Sequence, residues 1–382
     1  MRVTLVTETY FPQVNGVSRT LGELVRVLSD HGDQVQIIHP DYGAIPDPRA
    51  LAVPAFRVPF YRELHLPLPP FTRVRQAIDQ FRPDIVHIAT EATLGLAVLR
   101  HAIRRQYPVV SSFHTNFDQY SRHYHLGWAR SIITGYLRWF HGRTRETYVP
   151  SRATIRELEG LGFERLALWR RGVDATLFRP DRPRRGAIRE ALGFREDDVV
   201  IGHVGRLAAE KNVAHLGDAL AIVASSRPRA RVLIVGDGPA RADLEERTRG
   251  FAHFAGYRQG EDLADHYAAS DVFAMTSLTE TFGNVVLEAM ASGLPVAAIG
   301  SGGVGETVQP GRTGLLVDSR SPPGAITTVL IRLVDDAGLR ADLAQAARHY
   351  ALEQGWDAIM EGLRERYQAI VEERRASEFA VR

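Results

Sequence analysis

The stretch DVFAMTSLTETFGNVVLEAMASGLPVAAI, residues 271–299, decides the fold class. It begins with a short apolar run at 271–275 and ends with a second one at 295–299. Between them, residues 284–292 show the apolar spacing of a helix. Strand, helix and strand in this order predict two parallel strands joined by a crossover helix, the unit of a parallel sheet covered by helices.

The same alternation runs along both halves of the chain. Strands are predicted at 2–7, 34–39, 85–89, 109–113, 199–204 and 231–236, and helices at about 18–28, 71–81, 92–105, 213–226 and 239–249. Past residue 322 the pattern is helical. We therefore predict an α/β protein with two doubly wound domains that face each other across a cleft.

The domain boundary is predicted from a change in composition. GVDATLFRPDRPRRG at 172–186 is rich in proline, glycine and charge, as is typical of a linker. The predicted domains are residues 1–172 and 183–355, followed by a last helix from about residue 356. A length of 382 residues fits two domains.

Composition excludes several classes of protein. Hydrophobic residues make up 45% and charged residues 24% of the chain, as in soluble globular proteins, and no secretory signal opens it. We expect a cytoplasmic protein. The absence of cysteine excludes disulfides and thiolate catalysis, and a net charge of +2 argues against nucleic acid as a partner. Only Lys211 among the 47 basic residues is a lysine.

The loop and helix at 276–296 carry the strongest functional pattern. A helix that begins near Gly283 offers free backbone N–H groups to a diphosphate, and glycine allows that ligand to approach closely. Glu288, one turn later, can accept hydrogen bonds from ribose hydroxyls. The alternative is two solvated glutamates beside a helix start. The candidate donor-binding residues here are Glu280, Thr281, Phe282, Gly283, Asn284 and Glu288.

A second pattern, GRLAAEKN at 205–212, directly follows a predicted strand. Arg206 and Lys211 are the two cations that can neutralise a leaving nucleoside diphosphate without a metal ion. No Asp-x-Asp pair, which could bind a metal ion, lies at the end of a predicted strand, in agreement with a site that uses cations instead. We predict both as catalytic and donor-binding residues, with no metal and no cofactor. The alternative is an ordinary charged helix start.

Further candidates lie in other loops that follow strands. In SFHTNFD at 112–118, His114 can exchange hydrogen bonds near neutral pH, although a lone histidine is often structural. In NGV at 15–17, Gly16 can bring backbone to the donor phosphates, or simply make a tight turn. The loops that are predicted to contact the nucleotide base through backbone contain Gly236, Asp237, Tyr257 and Arg258.

One motif is misleading. GSGGVG at 300–305 matches the dinucleotide pattern G-x-G-x-x-G, and Asp318 lies downstream. That fingerprint must open a full helix, but only ETV separates it from the turn QPGRTG. We interpret it as a glycine-rich loop facing the donor, with Glu306 nearby, and not as a nicotinamide site.

Taken together, these motifs resemble family 4 of the retaining GT-B glycosyltransferases, whose two domains are Rossmann-like. The resemblance covers nearly the whole chain through ETYFPQVNGV, SFHTNFD, GRLAAEKN, VGDGP, ETFGNVVLEAMASGLPV and GGVGETVQPGRTGLLV. FHTNFDQYSRHYHLG is most similar to bacterial α-mannosyltransferases that use GDP-mannose on glycolipid acceptors.

The resemblance implies a role for each candidate. Arg206, Lys211 and Gly16 would hold the diphosphate, and Glu288 would hold the ribose. Glu280 would bind hydroxyls of the donor sugar, and His114 would lie beside the transferred sugar as a catalytic residue. It also implies that the helix at about 356–382 packs back on the N-terminal domain, and that the reaction retains the α configuration by front-face attack.

Other functions stay open from sequence. A UDP-sugar-dependent glucosyl or sulfoquinovosyl diacylglycerol transferase is the nearest alternative. A nucleotide-sugar enzyme that transfers nothing, or a nucleotide-binding protein on the same scaffold, is the alternative of another class.

The acceptor is predicted from residues 128–145. At the helical period, Trp128, Ile132, Ile133, Tyr136, Trp139 and Phe140 fall on one face, and Arg130, Ser131, Thr134, Arg138, His141 and Arg145 on the other. Residues 55–145 hold 13 arginines against five acidic residues, an excess of eight positive charges. An aromatic stripe beside arginines predicts peripheral contact with the anionic inner face of the cell membrane and a lipid or glycolipid acceptor. The alternative is that the stripe packs on the N-terminal sheet.

Overall fold

A computed structural model describes residues 1–13, 15–43, 47–58, 61–114 and 127–380. Most of FHTNFDQYSRHYHLG therefore lies outside the described residues, as do the side chains of Trp128 and Arg130. The chain forms two compact units, which are described separately. Unit 1 comprises Met1–Arg170 and Asp357–Arg382, and unit 2 comprises Arg171–Trp356, so it contains the stretch 172–186.

Unit 1 is built on a seven-stranded parallel sheet and one antiparallel hairpin. The order in the sheet is β3-β2-β1-β6-β7-β8-β9, and β4 pairs with β5 in the hairpin. The strands are β1 (Arg2–Val6), β2 (Gln34–Pro40), β3 (Ala50–Val53), β4 (Ala55–Val58), β5 (Tyr61–Pro67), β6 (Ile85–Ile88), β7 (Val109–Ser112), β8 (Thr147–Val149) and β9 (Leu166–Leu168).

Helices connect the strands of unit 1, and a last helix joins it from the far end of the chain. They are α1 (Gly16–Asp30), α2 (Thr72–Phe81), α3 (Thr93–Arg104), α4 (Gly127–His141), α5 (Arg152–Gly160) and the C-terminal helix, numbered α14 below, at Trp356–Ala380. The first of these begins at a capping box, in which the Asn15 side chain accepts from the Ser18 amide and the Ser18 hydroxyl accepts from the Asn15 amide. This cap fixes Gly16 as the first helical residue.

Unit 2 is a six-stranded parallel sheet of order β12-β11-β10-β13-β14-β15. Its strands are β10 (Val199–Val204), β11 (Ala230–Val235), β12 (Ala252–Gly256), β13 (Val272–Met275), β14 (Val296–Gly300) and β15 (Gly314–Asp318). Its helices are α6 (Arg185–Ala191), α7 (Val213–Ser226), α8 (Arg241–Arg247), α9 (Gly260–Ala268), α10 (Asn284–Ala291), α11 (Val304–Thr307), α12 (Gly324–Asp335) and α13 (Ala337–Leu352).

The predicted parallel, doubly wound architecture is confirmed in both units. Continuous apolar runs such as VVIGHV in β10 are buried on both faces, because helices cover both sides of the sheet. The strand order reverses between β10 and β13 in unit 2, and between β1 and β6 in unit 1. In such sheets ligands bind beyond the carboxyl ends of the strands at the reversal.

The motif GSGGVG does not open a dinucleotide-binding helix. The helix after it, α11, has only four residues. Asp318 ends β15 and pairs with Arg320. The glycines instead allow two loops to touch, because a Cβ on Gly302 would lie 2.3 Å from the carbonyl oxygen of Glu280.

Helix α4 corrects the predicted division into two faces. His141, predicted on the polar face, is buried, because Ser111 and Glu91 supply hydrogen-bond partners for both of its ring nitrogens. Phe140 of the predicted apolar face is also buried, but Ile132 and Trp139 of the same face are 64% and 36% exposed. The predicted apolar stripe therefore packs on the sheet only in part.

Within the part of the chain that the structure describes, every helix is too short or too polar to cross a membrane.

Candidate functional site

The loops that follow β10 and β13 form the centre of the candidate site in unit 2. After β10 the chain makes a short 3-10 helix, Ala209–Lys211, and Asn212 then takes a left-handed conformation with φ of 56° before α7 begins. The Thr276 hydroxyl donates to the carbonyl of Asn212 at 3.0 Å, which ties this turn to the loop after β13.

Lys211 and Glu280 meet as a consequence. The Lys211 Nζ lies 2.5 Å from Glu280 Oε1. Both side chains are largely but not fully buried, with 22% and 17% of their surface exposed. An ammonium group has three N–H donors, so one contact with a carboxylate leaves donors for a further anion.

Helix α10 begins next to this ion pair. Its N-cap is Gly283, with φ of 85°, and among the described residues no side chain caps it. Free N–H groups at a helix start, together with the helix dipole, form a seat for an anion. Glycine is required here, since φ near 85° is unfavourable for other residues. Thr281, Phe282 and Asn284 flank the turn.

Glu288 lies further along α10 and is 5% exposed. Its Oε2 accepts a hydrogen bond of 2.9 Å from the hydroxyl of Tyr267, a buried residue of α9. Sequence reasoning missed Tyr267, because it lies in an ordinary helical pattern outside every motif. The hydroxyl holds the carboxylate in a fixed orientation.

The loops after β11 and β12 pack against the loop after β10. A Cβ on Gly236 would lie 1.9 Å from the carbonyl oxygen of Gly205, so only glycine fits there. The Leu207 amide donates to the carbonyl of Asp237 at 2.9 Å, and the Gly236 amide donates to the carbonyl of Gly256 at 2.8 Å. The carboxyl ends of three neighbouring strands are thus held as one surface.

The remaining candidates of unit 2 lie on the outside of this surface. Tyr257 is 60% exposed, and Arg206 is exposed at the start of the loop after β10. Arg258 pairs with Asp262 at 3.0 Å and donates to the carbonyl of Ala255.

Two candidates belong to unit 1. Gly16 is the exposed first residue of α1. His114 follows β7, and its Nε2 lies 2.8 Å from Ser112 Oγ. The ring of Trp169 packs against the imidazole at 5.9 Å between centroids.

Unit 1 also holds a buried acid that sequence reasoning missed. Glu8 follows β1 and is 4% exposed, and its Oε1 accepts from the backbone amides of Leu94 and Gly95 at the start of α3. Burial raises the pKa of Glu8 to about 7, although hydrogen bonds from Thr90 and from these amides oppose the shift. The backbone amides that contact it come from α3, which is distant in sequence.

Comparison with known proteins decides the family. Residues 14–177 match the model of Glycosyltransferase Family 4, and residues 198–336 match that of Glycosyl transferases group 1. A GDP-mannose-dependent alpha-mannosyltransferase of Mycobacterium tuberculosis is 35% identical over 97% of this chain and 97% of its own length. The chain belongs to glycosyltransferase family 4.

The names of other relatives of this glycosyltransferase refer to different sugars. A sulfoquinovosyl transferase of Arabidopsis thaliana is 33% identical over 97% of this chain and 74% of its own length. An alpha-monoglucosyldiacylglycerol synthase of Streptococcus pneumoniae is 28% identical over 79% of this chain and 71% of its own length.

A solved structure confirms the fold of the glycosyltransferase. HepE of Anabaena, in complex with UDP and glucose, has a TM-score of 0.76, is 20% identical, and covers 97% of this chain and 100% of HepE. The likeness shows the predicted GT-B fold with two Rossmann-like halves.

Proposed function

We propose that this glycosyltransferase transfers a hexose, mannose from GDP-mannose, to a lipid or glycolipid acceptor and retains the α configuration without a metal ion. The 35% identity to a GDP-mannose-dependent enzyme over 97% of both chains supports the donor. The observation that carries the chemistry is the Lys211–Glu280 contact beside the start of α10, at the carboxyl ends of the two central strands.

The diphosphate is placed by charge. A leaving nucleoside diphosphate gains negative charge as the bond to the sugar breaks, and fixed N–H donors and cations stabilise that charge. In unit 2 these are the amides at the start of α10, the Lys211 ammonium and the exposed guanidinium of Arg206. In this proposal the backbone of Gly16 also binds the diphosphate.

The two glutamates bind different parts of the donor. Glu280, already in contact with Lys211, accepts from hydroxyls of the sugar. Glu288, oriented by Tyr267, accepts a hydrogen bond from the ribose. Asp237, Tyr257 and the backbone around them lie along the neighbouring loops, where the base would bind.

The transfer step needs no protein nucleophile. The acceptor oxygen forms a bond to C1 of the sugar on the face from which the phosphate oxygen departs. The proton of the acceptor hydroxyl passes to that phosphate oxygen, so atoms and charge balance. His114 donates a hydrogen bond to the transferred sugar in this scheme.

A UDP-sugar donor is the second candidate. It is favoured by the 33% identity to the sulfoquinovosyl transferase and by the 28% identity to the glucosyldiacylglycerol synthase. Both candidates share the diphosphate site, because backbone amides and cations do not read the base.

Release of nucleoside diphosphate from a panel of donors tests the proposal. Purified protein is incubated with GDP-mannose, UDP-glucose and UDP-sulfoquinovose, each with diacylglycerol or phosphatidylinositol vesicles, in EDTA. We expect acceptor-dependent release of GDP from GDP-mannose and an α-linked product. Activity with a UDP-sugar alone selects the second candidate, and loss of activity in EDTA that magnesium restores contradicts the metal-free scheme.

One surface of unit 1 supports the proposal of a lipid acceptor. On α4, Ile132, Ile133 and Trp139 are exposed apolar side chains, and the Arg143 guanidinium lies 4.3 Å from the centroid of the Trp139 ring. Exposed apolar and aromatic groups beside arginines are typical of helices that bind the surface of anionic membranes. We propose peripheral binding through α4 to the inner face of the cell membrane.

A further inference from the structure

A chain of hydrogen bonds runs through the interior of unit 1 and ends at His114. The Tyr367 hydroxyl on α14 lies 2.5 Å from His87 Nδ1 on β6. On the other side of the ring, His87 Nε2 lies 3.0 Å from Ser112 Oγ on β7. The same hydroxyl oxygen lies 2.8 Å from His114 Nε2. Tyr367, His87 and Ser112 are each fully buried.

The buried Tyr367 hydroxyl determines which group donates and which accepts in each of these hydrogen bonds. Tyr367 is 0% exposed, and burial raises the pKa of its phenol well above the usual value, so the phenol keeps its proton. Among the described residues, His87 Nδ1 is the hydrogen-bond partner of that hydroxyl. If His87 donated to Tyr367 instead, the phenol proton would be buried without an acceptor, which native proteins avoid.

With the phenol as donor, every later bond has one direction. His87 Nδ1 accepts, so its Nε2 carries the ring proton and donates to Ser112. The Ser112 hydroxyl is fully buried, so its own proton also needs an acceptor, and His114 Nε2 at 2.8 Å is the partner in position to accept it. A neutral His114 must then hold its proton on Nδ1.

We propose that Tyr367, His87 and Ser112 are positioning residues that fix His114 as the Nδ1–H tautomer, so that Nδ1 is a donor for a hydroxyl of the transferred sugar. This rests on the proposed function of His114 and deepens it. The aromatic cluster holds the rings in place, with Trp169 packed at 5.7 Å from His87 and 5.9 Å from His114 between centroids.

The tautomer is measured directly by long-range proton–nitrogen NMR of the full chain labelled with ¹⁵N-histidine. His114 is assigned by the signals lost in His114→Gln. We expect Nδ1 of His114 to have the shift of a protonated ring nitrogen and Nε2 that of an acceptor. The reverse pattern overturns the proposal. This readout needs neither donor nor acceptor, so it stands or fails independently of the transfer reaction.

Tyr367→Phe removes the donor that sets the direction. We expect the His114 nitrogens to shift toward the average of two exchanging tautomers, and kcat to fall roughly three- to tenfold, the factor for one neutral hydrogen bond, with the KM for the donor unchanged. Tyr148→Phe is the matched control. Tyr148 is also a buried phenol, with its ring centroid 5.9 Å from that of His87, but its hydroxyl is not part of the series of hydrogen bonds that ends at His114.

Ser112 supplies a second pair of variants. Ser112→Ala removes the hydrogen bond to His114. Ser112→Thr keeps a hydroxyl, on a strand that accepts β-branched residues. We expect mixed tautomers in the alanine variant and the Nδ1–H form in the threonine variant. An unchanged tautomer in both Tyr367→Phe and Ser112→Ala overturns the proposal.

Discussion

At the scale of single residues, Lys211 combines a fixed position with spare hydrogen-bonding capacity. Its ion pair with Glu280 holds the ammonium where a leaving group would gain negative charge. We expect Lys211→Ala to lower kcat by roughly 10²–10³ while the protein stays folded. Steady-state kinetics and calorimetry measure both. Arg249→Ala, at an exposed arginine of the same unit, is the control. Normal turnover in Lys211→Ala would rule out its assigned role.

Glu288 offers a test of ribose binding. Glu288→Ala is expected to weaken the binding of free nucleoside diphosphate by about 1.5–3 kcal/mol, the value of a hydrogen bond to a charged group. Tyr267→Phe keeps the carboxylate and removes only its partner at 2.9 Å, so we expect a loss of about 0.5–1.5 kcal/mol. Glu280→Ala should instead reduce kcat more than binding. Calorimetric titration with nucleoside diphosphate measures the binding. Wild-type affinity in the Glu288 variant would show that Glu288 does not bind the ribose.

Glu8 makes the stability of unit 1 depend on pH. Its pKa is about 7 in the folded protein against 4.5 as the ordinary value, so the folded state binds more protons between these two values. Its contribution is therefore complete below pH 4.5 and is lost as the pH rises through 7.

Glu8→Gln stays neutral at every pH and imitates the protonated acid. We expect it to melt near the wild-type temperature at pH 5 and above it at pH 8, with a difference of up to about 3 kcal/mol in unfolding free energy. Glu159→Gln, at an exposed position of α5, serves as control. A difference from wild type that is the same at pH 5 and pH 8 would show that Glu8 does not titrate in this range.

At the scale of elements, α4 is predicted to bind membranes through its exposed apolar residues. Ile132→Asp removes apolar surface and adds a charge that anionic lipid repels, so we expect partition to anionic vesicles to fall at least about tenfold. Ile222→Asp is the matched control, because Ile222 is a 52% exposed isoleucine on a helix of unit 2. Co-sedimentation at low and high salt measures both. Equal binding by the two variants would exclude α4 as the contact.

Elements with a strong local pattern could be predicted from sequence. The predicted helix at 213–226 matches α7, and that at 284–292 matches α10 within one residue. Both have a clear apolar periodicity, and Gly283 and Gly293 flank α10. The buried side of α4 could not be predicted from sequence, because the burial of His141 depends on partners from other elements. Tyr267 escaped prediction for the same reason, since only the fold brings α9 to Glu288.

At the scale of the whole molecule, the identity of the base is measurable through stability. A ligand that binds the folded protein at a hundred times its dissociation constant adds about 2.7 kcal/mol to the unfolding free energy. We expect GDP to raise the melting temperature more than UDP at equal concentration, with free guanosine as the control for the diphosphate. A larger shift with UDP would favour the second candidate donor.

The division of unit 1 into two segments has a consequence for biosynthesis. Tyr367 and His114 lie on opposite sides of unit 2 in the sequence, yet one hydrogen-bond chain joins them. Because the ribosome makes the chain from its amino end, all of unit 2 has emerged before α14 is available. Unit 1 is therefore incomplete, with His87 lacking its phenol partner, until α14 has been synthesised, whereas the whole of unit 2 is already present. A chain released before α14 is made therefore has the complete sequence of unit 2, but its His114 lacks the phenol that would fix the tautomer of its imidazole.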